Sequence, residues 1–246
     1  MKTRVVTASH GWLWIKQAFG IFRQSPLIWI ALSVSVILLG AILGMIPFLG
    51  SLLFQLIAPA LTAGLMLGCR AQQQGEELEI AHLFAGFKSH GAQLVTVGGI
   101  YLTGMLIIAA IVGLIGGEPL IRAMTEGHPS ADAVATSGMA GMSMLPVLVG
   151  LILLIPLLMA YWFAPALIVF GNMRPVEAMK TSLASSLNNV TAFMVYGLTM
   201  FLLFILATLP LMLGFLVMIP LAFISYYTAF EDVFSNDDVA QINETA

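Results

Sequence analysis

QSPLIWIALSVSVILLGAILGMIPFLGSLLFQLIAPALTAGLMLGC, residues 24–69, contains no Asp, Glu, Lys or Arg. A helix crossing the lipid core needs about 20 apolar residues, roughly 30 Å at 1.5 Å per residue. The run is long enough for two such helices. The turn Ile46-Pro47-Phe48-Leu49-Gly50-Ser51 divides it into spans near 27–46 and 51–69. Three further charge-free runs follow, at 89–117, 133–173 and 181–230. They supply spans near 92–115, 145–170, 190–209 and 213–230. The expected fold is an all-α polytopic membrane protein with six transmembrane helices in a single membrane domain, 1–246.

Composition agrees. Of 246 residues, 60% are hydrophobic and 9% charged, and the mean hydropathy is +1.01. Soluble domains average about 45–50% apolar and about 25% charged. A soluble globule and a disordered chain are excluded. With a net charge of −3 there is no basic field for nucleic acid. The single cysteine rules out a disulfide framework or a thiolate metal cluster.

Eight of the nine basic residues, Lys2, Arg4, Lys16, Arg23, Arg70, Lys88, Arg174 and Lys180, fall on one side of the spans, and Arg122 falls on the other. The positive-inside rule then places both termini in the cytoplasm. The first span reads as uncleaved, which suits a bacterial inner membrane. Residues 232–246 read as an acidic cytoplasmic tail.

Short segments with one apolar stripe precede the helix pairs. In 10–25 the stripe is Trp12, Ile15, Phe19 and Phe22; in 78–88 it is Ile80, Leu83, Phe84 and Phe87; in 175–188 it is Val176, Met179 and Leu183. These read as three interfacial amphipathic helices lying among the headgroups. AFGIFRQSPL (18–27), LFAGFKSHGA (83–92) and SLASSLNNVT (182–191) align with one another. Pro59, Pro165 and Pro220 sit inside the second, fourth and sixth spans, 11, 9 and 11 positions before the next charge. Together these features predict a threefold internal repeat with units at about 10–70, 78–173 and 175–231, about an axis along the membrane normal.

The segments SHGWLWIKQAFGIFRQSPLIWI (9–30), MIPFLG (45–50), APALTAGLMLGCRAQQQGE (58–76) and HLFAGFK (82–88) resemble a proteobacterial family of uncharacterised six-helix inner-membrane proteins. More distantly, APALIVF (164–170) followed by PVEAMKTSLASSLNN (175–189) resembles the YciC-like proteins and the membrane domain of some glycerophosphodiester phosphodiesterases. In those proteins a proline-kinked helix leads to an Ala-aliphatic-x-x-Ser interfacial helix, matched by Ala178, Met179 and Ser182. The resemblance implies the fold but no activity, since no catalytic domain of the phosphodiesterase kind is present.

The spans carry no charge, which disfavours proton relays and ion coupling through buried carboxylates. Gln55 is the polar side chain its own helix cannot satisfy in full, and it should face another helix or a wet cavity. The carbonyls four residues before the prolines, at Gln55, Tyr161 and Leu216, need other partners. Gln55, Pro59, Pro165 and Pro220 are therefore the candidate cavity or helix-kink positions. His82, His90 and Cys69 could meet near one membrane face, but their spacing matches no metal motif. No catalytic residue, metal ligand or cofactor is expected. Gly40/Gly44 and Gly64/Gly68 are small-residue ridges, expected to pack within the monomer.

The expected function is non-enzymatic, with membrane lipids and a membrane-protein partner as the interacting species. The alternative is a transporter or permeation module for a small apolar or lipid-like molecule. A lipid enzyme would require Glu76, Glu79, His82 and Lys88 to converge with the third interfacial helix.

Overall fold

The computed structural model describes residues 3–47, 49–126, 144–209 and 211–234. The expected outer loop beyond residue 126 and the acidic tail from residue 235 lie outside them.

Long apolar runs in the absence of competing polar side chains favour the helix, which satisfies its backbone internally. Helix α1 is His10–Phe22, α2 Pro26–Gly44 and α3 Leu49–Gln73. A 3-10 segment, Ile80–Phe84, leads directly into α4, Ala85–Glu126. Then come α5 Leu145–Trp162, α6 Ala164–Gly171, α7 Pro175–Asn188, α8 Val190–Thr208 and α9 Phe215–Val233. Pro26, Pro146, Pro165 and Pro175 each sit in a first turn, where the missing N–H costs nothing. Asn172, at φ 51, ends α6 in the left-handed conformation that asparagine tolerates. Six helical stretches among the described residues are long and apolar enough to cross a membrane: Pro26–Gly44, Leu49–Gln73, Ile80–Gly116, Leu145–Gly171, Val190–Thr208 and Phe215–Val233.

Three features differ from the expectation. The second short segment is a 3-10 turn continuous with the third span, not a separate amphipathic helix, because Glu79 and His82 cap it reciprocally and nothing breaks the chain at Ala85. The apolar stripe of α1 is divided: Ile15 and Phe22 join Trp14, Ala18 and Ile21 in the protein core, while Trp12 and Phe19 stay uncovered at 52% and 45%. Asp232 belongs to α9 and not to a tail.

The prolines also behave differently from one another. Pro59 and Pro220 lie within continuous helices, whereas the helix is broken at Phe163, two residues before Pro165. The Pro165 ring displaces the carbonyl four residues earlier and disfavours helical geometry in the residue before it. A side chain from another helix repairs the gap. The Ser182 hydroxyl on α7 accepts from the Phe163 N–H at 2.9 Å and donates to the Met159 carbonyl at 2.7 Å, taking the place of the ladder bond between them.

α3, α6 and α9 form the interior, with α3 touching both others and Phe170 of α6 stacking on Phe230 of α9. The short segments pack around this centre: α1 on α9, the 3-10 segment and the start of α4 on α3, and α7 on α5 and α6. Each thus lies against the second span of another pair. At the α3–α4 contact Gly86 meets the Ala60 backbone, and Gly64 meets the backbone of His82 and Leu83, so a Cβ at either would collide with main chain. The Gly64/Gly68 ridge therefore packs within the monomer. Gly40 lies on the Phe54 ring, while the Gly44 position is open.

Candidate functional site

The first and last described residues lie at one end of the bundle, where Arg4 N–H bonds the Val233 carbonyl, and the polar side chains that link helices among the described residues gather mostly there. In lipid, apolar contact between helices adds little, because acyl chains are as apolar as leucine. Close packing and hydrogen bonds decide the assembly.

Residues 3–9 cross this basal end as a strap. The buried amide of Asn189, between α7 and α8, binds the strap from both sides: its Oδ1 accepts from Val6 N–H at 2.8 Å, and its Nδ2 donates to the Arg4 carbonyl at 3.0 Å and to the Ser185 carbonyl at 2.9 Å. Arg4 N–H reaches the Val233 carbonyl at 2.9 Å. On α1, His10 and Trp14 lie one turn apart, so both rings reach one carboxylate. Asp232 stands 2.6 Å from His10 Nδ1 and accepts from Trp14 Nε1 at 2.7 Å. The Trp14 carbonyl accepts from Thr228 at 2.8 Å, closing α1 onto α9.

α3 joins the same network through consecutive glutamines. Gln72 is buried, accepts from Trp29 Nε1 at 2.9 Å and donates to the Ile21 carbonyl at 3.1 Å, linking α1, α2 and α3. Gln73 donates to Glu231 at 2.9 Å, and the Tyr227 hydroxyl lies 2.8 Å from both Gln73 and Glu231. The Arg70 guanidinium covers the Phe170 ring at 5.3 Å. Between strap, α1, α3 and α9 opens a cleft of about 600 Å³, whose walls include Arg4, Gln17, Gln24, Gln73, Glu231 and Asp232. A cleft of this size is ample for a small polar ligand.

One layer deeper lies an aromatic cluster. Trp162 stacks on Tyr226 at 4.5 Å and meets Tyr196 edge-on at 6.0 Å; Tyr101 and Tyr161 sit 4.6 Å apart. Tyr196 and Ser225 share a hydrogen bond of 2.8 Å. The Trp162 indole N–H is buried without a partner among the described residues.

The expected site residues are not gathered in this network. Pro59, Pro165 and Pro220 are all buried. Pro220 lines a separate crevice of about 80 Å³ between α2 and α9, with Ser33 on the opposite wall. Gln55 is half-buried, and its side chain has no hydrogen-bond partner among the described residues; its carbonyl faces α4 where Gly98 approaches. His82 caps its own turn, His90 reaches Asn172 at 3.3 Å, and Cys69 is buried elsewhere. Glu76, Glu79 and Lys88 are exposed. Among the described residues, no three His, Cys, Asp or Glu side chains come together in a way that could hold a metal ion.

Residue-type reasoning missed Asn189, Gln72, Ser182, His10 and Asp232. A signal was available for His10, which shares a helix face with Trp14 at i, i+4. The Asn189 signal was weaker, a carboxamide at the mouth of an apolar run.

No family model and no solved structure matches the chain. A protein of Burkholderia thailandensis named "Probable inner membrane protein" is 30% identical over 203 residues, covering 80% of this chain and 74% of that one. The chain belongs to the family of that inner membrane protein and is an all-α, multi-pass membrane protein, with six helices among its described residues long and apolar enough to span the bilayer.

Proposed function

We propose that this is a non-enzymatic inner-membrane protein whose basal end faces the cytoplasm and holds phospholipids at the membrane surface. The observation that carries this reading is a repeated pair on two short segments. Phe19 and Arg23 lie one turn apart on α1, with the guanidinium 5.9 Å over the ring. Phe84, the last residue of the 3-10 segment, and Lys88 in the first turn of α4 repeat the spacing. Both rings are uncovered, Phe84 at 48%. An apolar ring entering the acyl boundary beside a cation at headgroup level is the arrangement that binds anionic and zwitterionic lipid surfaces. The skew of Lys and Arg toward this end supports its cytoplasmic placement.

The threefold repeat belongs to the same reading, supported by the packing of each short segment on the second span of another pair. So does the kinship with the YciC-like proteins and the phosphodiesterase membrane domain. It is supported by the part Ser182 of the Ala178-Met179-x-x-Ser182 motif plays in repairing the break at Phe163.

The experiment is lipid mass spectrometry on protein purified gently from membranes, comparing wild type with the double variant Phe19→Asp, Phe84→Asp. Each ring contributes about 1.5–3 kcal/mol when fully buried, so the variant should retain several-fold fewer lipids. Equal retention refutes the reading.

A second reading, passage of a small lipid-like molecule, draws on the crevice between α2 and α9. There Ser33 is buried, and its hydroxyl has no hydrogen-bond partner among the described residues. Retention of an apolar molecule other than phospholipid, abolished by Ser33→Val, favours it.

A further inference from the structure

The basal cleft contains opposite charges that do not neutralise each other. Asp232 is already engaged by His10 and Trp14. Glu231 accepts only from neutral donors, the Gln73 amide and the Tyr227 hydroxyl. Arg4 also lines the cleft, and its guanidinium makes no ion pair with any described residue. The Arg4 backbone is pinned, its N–H on Val233 and its carbonyl on Asn189. Among the described residues, a guanidinium and a carboxylate, neither in an ion pair, thus line one cavity that glutamine amides line as well.

We propose that this cleft is a receptor for the zwitterionic phosphoethanolamine headgroup of a membrane phospholipid. Its phosphate sits on Arg4, and its primary ammonium on Glu231 and the glutamine carbonyl oxygens. The proposal rests on the lipid-binding reading above and narrows it to one headgroup class.

The chemistry of the walls selects among headgroups. Guanidinium is the preferred planar donor for phosphate. A primary ammonium brings three N–H donors, matching the acceptors of Glu231, Gln17, Gln24 and Gln73. A quaternary ammonium has none and is normally held by aromatic faces, but no aromatic ring is among the residues lining the cleft. A headgroup with negative charge alone would satisfy Arg4 while facing two carboxylates. Lateral entry from the bilayer is open at Gly20, which lines the cleft next to the uncovered Phe19 and where an added Cβ meets nothing within 4 Å.

The test uses the full-length protein in nanodiscs containing equal parts of phosphatidylethanolamine, phosphatidylglycerol and phosphatidylcholine. Bound lipids are counted by native mass spectrometry after release from the disc. Wild type should retain phosphatidylethanolamine over each of the others. The preference should fall about tenfold, the effect of one charge-assisted hydrogen bond, in Arg4→Gln and in Glu231→Gln, which keeps the links to Tyr227 and Gln73. Gly20→Phe fills the cleft from an open position without touching the core and should abolish the preference with the fold intact. Soluble phosphoethanolamine added in excess should not displace the lipid, since a free ligand lacks the acyl anchor; displacement contradicts the lipid source. Retention of all three lipids without preference overturns the headgroup proposal but leaves the surface-anchoring reading standing. Retention of none overturns both. A preference unchanged in all three variants also overturns the proposal.

Discussion

The two ends of the bundle are built on different terms. At the basal end, Trp14, Trp29, Phe163, Leu65, Met66, Leu167, Ile168 and Ile224 are fully buried, and Trp14, Trp29 and Ser182 make hydrogen bonds across helices there. At the opposite end, Ile42, Met45, Leu49, Leu114, Ile152, Leu206 and Leu213 are uncovered by protein. Contacts there are close but apolar, such as Phe204 on Phe215, Gly150 near Val112 and Gly214 on the Ala207 backbone. Lipid removes the reason to bury apolar surface and leaves close packing and the satisfaction of polar groups. The structural specificity of the chain therefore concentrates where its carboxamides, carboxylates and indoles are, and the far ends of the spans act chiefly as solvent-matched rods.

This contrast can be broken by substitution. The largest effect is expected from Gly86→Leu, whose side chain has only the Ala60 and Gly64 backbone to meet. α3 and α4 cannot then close, and folded protein should be lost from size-exclusion profiles. Asn189→Ala removes the partner of three backbone groups, two of them, Val6 N–H and the Ser185 carbonyl, in buried bonds, and should cost about 2–6 kcal/mol, at roughly 1–3 kcal/mol per stranded buried group. The measurement is thermal unfolding in detergent, together with faster proteolysis ahead of His10. Ser182→Ala removes the hydroxyl that bridges the Phe163 N–H and the Met159 carbonyl, leaving that carbonyl only the longer 3.4 Å bond from Ser186. About 1–3 kcal/mol is expected, with faster amide exchange around residue 163 than in wild type. Leu206→Ala and Ile152→Ala, on uncovered positions of the far half, should each stay within about 0.5 kcal/mol. If they cost as much as Asn189→Ala, the contrast between the ends is wrong.

The spans were legible because charge exclusion is a direct physical requirement of lipid. The first and fifth, expected near 27–46 and 190–209, are Pro26–Gly44 and Val190–Thr208. What covers an apolar face was not legible. The α1 stripe predicts lipid contact for Ile15 and Phe22 as much as for Phe19, yet the two former residues pack on protein. Periodicity records that a face is apolar and not whether its neighbour is a helix or an acyl chain. The same limit applies to the cleft. Asp232 reads with the other acidic residues near the C-terminus, and only the docking of α1 on α9, 218 residues apart in the Trp14–Asp232 bond, sets it beside an indole. Pro165 was legible as a disruption, but its repair by Ser182, 19 residues from the Phe163 amide, was not.

The central claim, that the polar end of the bundle is the cytoplasmic headgroup-facing end, is tested most directly by impermeant thiol labelling of single introduced cysteines. Native Cys69 is fully buried and should stay silent. Cysteines replacing Glu76 and Asn172, exposed at the basal end, should label only in inverted inner-membrane vesicles, while one replacing Met144, 73% exposed at the far end, should label in intact spheroplasts. Labelling of positions 76 and 172 in spheroplasts, with position 144 silent there, contradicts it.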